Sequence, residues 1–189
     1  MSKITLAPDV SGTGTFTIAA PNSNSDRTLT LPDNSGTLLS NASTAGFPAG
    51  SVLQVVNATY STQTTSSSST YADTGLTASI TPTSASSKIL VLVSQAGCGK
   101  QNNNTTLALR LLRDATVISY FEQLGGYDAA STNNFFGSCS VCYLDSPATT
   151  SATTYKTQLA STSNLSQVYT QIYNSVAAMS TITLMEIAA

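Results

Sequence analysis

The sequence predicts an all-β protein built around an antiparallel β-sandwich or jelly roll, and two observations lead to this prediction. Ser and Thr account for 59 of the 189 residues, and their small or β-branched polar side chains suit solvent-facing strands and turns. Short apolar runs recur between turn residues at even spacing, whereas no window combines a sustained helical period with helix caps. Many short strands at regular spacing are typical of a two-sheet sandwich.

The main part of the chain, residues 48–189, is predicted to be a head domain with nine strands. These strands span residues 51–60, 74–81, 88–95, 105–113, 115–121, 136–144, 153–160, 167–173 and 180–187. Turn-forming residues separate them, for example from Gly97 to Asn104 and at Gly125-Gly126. The low-complexity Ser/Thr tract 61–70 is expected to be an exposed edge or loop.

Residues 1–47 are predicted to form a small, separate β-region. Segments 15–18 and 27–31 alternate polar and apolar residues, and each is followed by a proline-containing turn. Two strands of about five residues are marginal by themselves. This region therefore needs a partner, which is either another copy of itself or the structure into which it plugs.

Several predicted strands of the head carry apolar side chains on both faces. In segment 88–93, Leu90 and Leu92 lie opposite the other apolar residues, and Leu112 lies opposite the other leucines of its strand. A two-sheet sandwich covers one face of each strand, and no helix is predicted to cover the second. We therefore expect Leu90, Leu92 and Leu112 at a trimer interface, the alternative being a thicker core within one subunit. Segments 153–159 and 166–173 are polar on at least one face and are expected to face solvent.

The charge content excludes several kinds of partner. Charged residues make up 8% of the chain, against about 25% in ordinary soluble domains. The seven Lys and Arg are spread from Lys3 to Lys156 and form no basic patch, so nucleic-acid binding is not expected. The densest apolar run, 89–93, is far shorter than the ~20 residues of a membrane-spanning helix. Weak self-repulsion, by contrast, permits permanent self-association.

The chain is poorly equipped for catalysis. It contains no histidine, which removes the commonest general base and every Ser-His-Asp or Cys-His system. Most of the nine acidic residues lie beside turns, and only Glu122 and Asp128 share a neighbourhood. We expect no enzyme activity and no cofactor. The alternative is a polysaccharide hydrolase that uses these two carboxylates.

The three cysteines do not form a recognisable metal or redox motif. Cys139 and Cys142 lie three residues apart on a predicted strand, so their thiols are expected to point to opposite faces. No second Cys pair and no histidine complete a metal-ligand set. The cysteines, Cys98 included, are interpreted as small buried hydrophobic residues.

Two amide-rich loops are the candidate sites of contact with a partner. Amides next to aromatic rings suit the binding of sugars or flat protein surfaces. In a jelly roll the two loops are expected to gather at one end of the head. The candidate receptor-contact residues are Asn102, Asn103, Asn104, Tyr127, Asp128, Asn133 and Asn134.

Six segments resemble bacteriophage tail-fibre and virion fibre proteins. Two belong to the N-terminal region: residues 6–18, and residues 27–38 with the sequence Arg-Thr-Leu-Thr-Leu-Pro-Asp-Asn-Ser-Gly-Thr-Leu. Four belong to the head, residues 74–76, 80–91, 143–147 and 182–187. The resemblance implies a non-enzymatic homotrimer located in the virion, with a C-terminal head of the C1q and tumour-necrosis-factor jelly-roll type.

The resemblance also implies the partners. Residues 1–47 are expected to anchor the chain to other virion proteins, and the head is expected to attach to a host surface glycan or protein. The first residues lack the apolar stretch of a signal peptide, which fits assembly in a host cytoplasm. No long shaft separates the two regions, so the alternative is a capsid decoration protein, or head fibre, of the same fold.

Overall fold

The computed structural model describes residues 11–15, 17, 26, 28, 47–130 and 133–189. The chain divides into two compact units, residues 1–37 and residues 38–189. The strands predicted at 15–18 and 27–31 lie, apart from three single positions, outside the described residues. The second unit carries every strand discussed below.

Twelve strands are found in the described part of the chain, and all of their pairings are antiparallel. They are β1 (Val52–Tyr60), β2 (Thr64–Ser66), β3 (Ala72–Ile80), β4 (Lys88–Gln101), β5 (Thr106–Arg113), β6 (Thr116–Gly125), β7 (Asn133–Asp145), β8 (Thr153–Ser163), β9 (Val168–Thr170), β10 (Ile172–Tyr173), β11 (Val176–Ala177) and β12 (Ser180–Ile187). The predicted all-β antiparallel sandwich is confirmed, and each of the nine predicted strands lies on an observed one. No helix in the described residues is long and apolar enough to cross a membrane.

Two sheets form the sandwich. The first, here called the six-stranded sheet, has the order β1-β12-β4-β9-β2, with β7 on the other side of β4. The second, the four-stranded sheet, has the order β3-β8-β5-β6. The strands β10 and β11 form a separate small hairpin. The long strand β4 is central because β12 pairs with its first half and β9 with its second half.

The strand β4 continues through the turn that was predicted from Gly97 to Asn104. The pairing with β7 shifts register between Gln95 and Cys98, and Gly97 has a φ of 60° inside this bulge. A side chain at Gly97 meets the backbone nitrogen of Ile172 at 2.4 Å. Glycine therefore permits a bulge here rather than a chain reversal, and β4 ends only at Gln101.

The core lies between the two sheets in two apolar clusters. The larger cluster includes Ile89, Val91 and Val93 of β4 together with Ile182 and Leu184 of β12. The second cluster lies beyond the bulge and includes Cys98, Leu107, Leu109, Leu159 and Val168. The strand β9 belongs to this second cluster, and Val168–Thr170 are all buried. The expectation that segment 166–173 faces solvent is therefore wrong for β9, because β9 lies between β4 and β2 in the six-stranded sheet and its three residues are buried.

Buried polar side chains connect the sheets near the bulge. Gln95 accepts a hydrogen bond from Thr157 at 2.8 Å and donates one to Ser180 at 3.1 Å. Gln171 also donates to Ser180, at 3.3 Å. All four residues are fully buried, so these partners satisfy groups that water does not reach. The core therefore fixes the relative position of the sheets with polar contacts as well as apolar packing.

A single carboxylate, Glu186 of β12, holds one end of the sandwich. Its two oxygens accept hydrogen bonds from Gln54 Nε2 at 2.6 Å and from the N–H and hydroxyl of Thr83, both at 2.7 Å. Burial by itself raises the pKa of Glu186, but these hydrogen bonds outweigh it and lower the pKa below the ordinary value of 4.5. The ionised form therefore stabilises the fold.

Lowering the pH is expected to remove this stabilisation. Because the pKa of Glu186 is lower in the folded than in the unfolded state, its contribution is complete above pH 4.5 and is lost as the pH falls through the folded-state pKa. Glu186→Gln places an NH₂ group against one of the donors, so it should cost about 1–3 kcal/mol at pH 7. Urea unfolding from pH 3 to 7 measures both effects. If the free energy of unfolding of the variant falls with decreasing pH as steeply as that of the original chain, Glu186 is not the group responsible for the loss.

Candidate functional site

The two predicted contact loops lie side by side. The backbone N–H of Asn104, in the β4–β5 loop, donates to the carbonyl of Asp128, in the β6–β7 loop, at 2.9 Å. This hydrogen bond confirms that the two loops meet. Within the second loop, Asp128 Oδ1 accepts from the N–H of Ala130 at 2.7 Å, and Tyr127 exposes its ring.

The asparagines of the first loop are held in a defined conformation. Asn102 and Asn104 have φ values of 63° and 56°, a left-handed conformation that asparagine tolerates better than most residues. Lys100 Nζ donates to the carbonyl of Asn102 at 2.8 Å. The loop is therefore shaped by its own backbone and by a buried lysine chain.

A third loop, which sequence reasoning missed, completes this end of the head. Asn164 Nδ2, between β8 and β9, donates to the carbonyl of Asn103 at 2.9 Å, and Asn102 Nδ2 donates to Ser166 Oγ at 3.0 Å. The signal in the sequence was the polar stretch 161–167, which is rich in hydroxyl and amide side chains like the first loop and is interrupted by Leu165 alone.

The two remaining candidate residues are divided between two places. Asn134 Nδ2 lies 3.4 Å from the carbonyl of Gly126 and so belongs to the loop cluster. Asn133 instead lines a pocket of about 210 Å³ with three more side-chain amides, Gln63, Gln101 and Asn174. Phe135, Tyr169 and Ile172 line it as well. The structure therefore brings Asn133 together with residues that lie far from it in sequence.

The outer side of the six-stranded sheet carries an apolar row across four adjacent strands. The strand registers place Val55 of β1 beside Met185 of β12, Met185 beside Leu90 of β4, and Leu90 beside Leu144 of β7. Val55 is 56% exposed and Leu144 51% exposed, while Leu90 and Met185 are half-buried. We call these four residues the outer apolar row. Leu92, also half-buried, lies beside it, paired with Cys142 and Thr183.

The outer side of the four-stranded sheet carries charged and polar side chains instead. Arg110 donates to Gln158 at 2.6 and 2.9 Å and lies 4.0 Å above the ring of Tyr71. Lys156 and Asp73 form an ion pair at 2.9 Å. The outer side of the four-stranded sheet therefore carries charged and polar contacts, whereas the outer side of the six-stranded sheet carries the outer apolar row.

Leu112 lies apart from the outer apolar row. It belongs to β5 of the four-stranded sheet and is only 4% exposed. The register shift against β6 between Leu111 and Leu112 places the extra residue in β6, whereas the pairing of β5 with β8 continues without a shift there. Leu111 therefore faces the core, and Leu112 stays on the outer side of the four-stranded sheet, where it is nevertheless covered. Of the three predicted interface leucines, Leu90 and Leu92 offer surface to a second copy, and Leu112 offers almost none.

Among the described residues, the acidic and cysteine side chains singled out from the sequence make local contacts. Glu122 Oε1 accepts from the N–H groups of Gln123 and Leu124 at 2.9 and 3.0 Å, as a local turn does. Cys139 is buried and Cys142 exposed, which confirms that these thiols point to opposite faces. The interpretation of the cysteines as buried residues holds for Cys98 and Cys139 and is wrong for Cys142, which lies on the outer side of β7. The Cys139 thiol and burial both raise the pKa of Cys98. Among the described residues, no three acidic or thiol side chains come together as a metal site.

Comparison with known proteins gives limited information. No family model matches the chain, and no curated protein matches it. Among solved structures, it is similar to the VP2 subviral particle of infectious bursal disease virus, with a TM-score of 0.41 and 12% identity over 74% of this chain and 38% of that one. The Gx strain structure of the same virus has a TM-score of 0.38 and 16% identity over 82% of this chain and 41% of that one. The chain spans about two fifths of those proteins, and TM-scores this low carry no argument about function.

Proposed function

We propose that this chain is a non-enzymatic structural protein of a virus particle, a homotrimeric bacteriophage fibre whose head attaches the particle to a host surface. The observation that carries the proposal is the outer apolar row on a head whose other outer face is polar and charged. Large exposed apolar patches mark interaction surfaces. Permanent assembly with identical copies covers this surface in every subunit.

The N-terminal resemblance supports the virion part of the proposal. In this arrangement residues 1–47 bind other virion proteins by strand addition or by intertwining with the other copies. The trimer presents three copies of the loop cluster around Asn102, Asn104 and Asp128. Three weak contacts on one rigid head then act together, so attachment is strong without a strong single contact.

The purified chain is expected to be a trimer at micromolar concentration. The physical reason is that the outer apolar row is costly to leave in water and is removed from it in the assembly. Multi-angle light scattering should therefore give three times the chain mass of 19.5 kDa. A clean monomer over the micromolar range contradicts the proposed assembly, whatever the head binds.

A capsid decoration protein of the same fold is the second candidate function. It is favoured by the absence of a long shaft between the N-terminal region and the head in the sequence. A labelled antibody against the head, viewed on intact particles, separates the two. Label at the tail supports the attachment fibre, and label over the capsid supports the decoration protein.

A further inference from the structure

We propose that the pocket beside β9 binds a neutral sugar unit. This inference rests on the proposed attachment role and names the class of ligand that the head recognises on the host surface. The pocket lies at the far end of the six-stranded sheet, over Gly99 of β4. Gly99 lies roughly 30 Å from Leu90 along the strand, at about 3.3 Å per residue. The pocket is therefore separate from the outer apolar row.

The bulge in β4 creates the pocket. Before the bulge Gln95 points into the core, whereas after it Cys98 and Lys100 are the buried residues and Gln101 is exposed. The ring of Tyr169 occupies the space above Gly99, where an added Cβ comes within 2.3 Å of it. Only glycine allows this approach, so the local sequence builds the aromatic wall of the pocket.

Two aromatic rings, Phe135 and Tyr169, line the pocket, and a third, Tyr173, packs against Phe135. The ring centroid of Phe135 lies 5.1 Å from that of Tyr169 and 5.3 Å from that of Tyr173. Tilted and edge-on contacts at these distances are favourable and hold the rings in place. A packed aromatic wall gives an apolar surface for the C–H face of a sugar ring.

The rim of the pocket is made of amides rather than charges. Gln63, Gln101, Asn133 and Asn174 line it, and its lining contains no Asp, Glu, Lys or Arg. Each amide offers both donors and an acceptor, which matches sugar hydroxyls that also donate and accept. A lining without charge favours a neutral ligand over a sialic or uronic acid.

These four amides lack partners within the described part of the chain. No hydrogen bond joins any of their side chains to another described residue, whereas Gln54, Gln95 and Gln158 elsewhere are all hydrogen-bonded. Asn174 is fixed by its backbone, since Asn174 and Ser175 have φ values of 44° and 70° in the two-residue turn between β10 and β11. The side-chain amides are thus available for a ligand, and the backbone of Asn174 is fixed beside them.

The size of the pocket limits the ligand. A volume of about 210 Å³ is below the roughly 300–1,000 Å³ typical of sites for drug-sized molecules. One sugar unit of a longer surface glycan fits this description. Such a site alone binds in the millimolar range, and three sites on one trimer raise the overall affinity.

Saturation-transfer difference NMR on the full chain tests the inference. The probes are glucose, galactose, mannose, rhamnose and N-acetylglucosamine, with glucuronic acid and N-acetylneuraminic acid as charged counterparts. At least one neutral sugar should receive saturation, and the charged sugars should receive less. The double variant Gln101→Ala/Asn133→Ala should reduce the transfer at least tenfold, because both residues are exposed pocket amides. Gln123→Ala, an exposed amide outside the pocket, should leave it unchanged.

The outcomes separate this inference from the proposed function. No transfer to any neutral sugar, or equal transfer in the double variant and the original chain, overturns the sugar site. Light scattering on the same double variant should still give a trimer. If the double variant becomes monomeric, the pocket is part of the subunit interface, and the sugar site is again overturned. If the original chain is a trimer but binds no neutral sugar, the sugar site is wrong and the proposed trimeric assembly still holds.

Discussion

Leu90→Lys is expected to convert the trimer into a folded monomer. Leu90 is the half-buried centre of the outer apolar row, between Met185 and Leu144. In the assembly the change places an ammonium group in an apolar interface, and a charge buried without a partner costs several kcal/mol. Trimer dissociation should therefore increase more than about 100-fold, at 1.4 kcal/mol per factor of ten. Light scattering against protein concentration measures it.

The monomer itself should remain folded, because Leu90 points away from the core that Ile89 and Val91 occupy. Thr77→Lys is the matched control, since Thr77 is exposed on the four-stranded sheet. That variant should remain a trimer. If Leu90→Lys and Leu144→Lys both remain trimers, the outer apolar row is not the interface. Circular dichroism in the far ultraviolet confirms that each variant keeps its strands.

Asp145→Asn is expected to cause the largest loss of stability from a single conservative change. Asp145 ends β7 of the six-stranded sheet, yet both of its partners belong to the four-stranded sheet. Its carboxylate accepts two bonds from Arg113 Nη1 at 2.9 Å and one from Tyr155 Oη at 2.6 Å. Burial, and then this contact with Asp145, raise the pKa of Tyr155, so the tyrosine stays a neutral donor. The three residues fasten the two sheets together.

Asp145→Asn removes the carboxylate charge, so the partly buried guanidinium of Arg113 loses its ion-pair partner. The expected cost is about 3 kcal/mol, or roughly 6–12 °C in thermal midpoint for a chain of this size. Thermal unfolding at one fixed protein concentration measures it, because assembly makes the midpoint depend on concentration. Tyr155→Phe should cost less, about 1 kcal/mol, since it removes one hydrogen bond.

Asp73→Asn provides the matched control for this prediction. The same substitution is made here in an ion pair with Lys156, and the side chain of Asp73 is 53% exposed. Exposed ion pairs contribute about 0–1 kcal/mol, so this variant should unfold close to the original midpoint. Equal losses in the two variants would show that Asp145 does not fasten the sheets.

Much of the fold could be predicted because the governing signal is local. The alternation of apolar and polar residues in strands such as β4 and β12 has a period of two and needs no knowledge of distant residues. The same signal predicted the outward position of Leu90 and Leu92 and the divergence of Cys139 and Cys142. It did not show that Leu112 is covered within the subunit, because alternation assigns a residue to a face of the strand and does not say what lies over that face.

The candidate site could be predicted only in part. The amides at Asn102 to Asn104 were visible as a composition, and their meeting with Asp128 followed from the expected sandwich. The pocket was not visible, since Gln63, Gln101 and Asn174 are spread over more than half of the head. Only the pairing of β4 with both β7 and β9 brings these side chains to one place.

The sequence by itself determined that this chain is all-β, where its nine main strands lie, and that some of them are apolar on both faces. These properties depend on neighbours in the chain and on backbone geometry. The tertiary structure alone decided which sheet keeps an apolar outer face, which leucine the subunit encloses, and which amides surround a pocket. Those outcomes depend on the bulge at Gly97 and on strand order, because the bulge changes the direction of later side chains of β4 and each pairing joins residues that are distant in sequence.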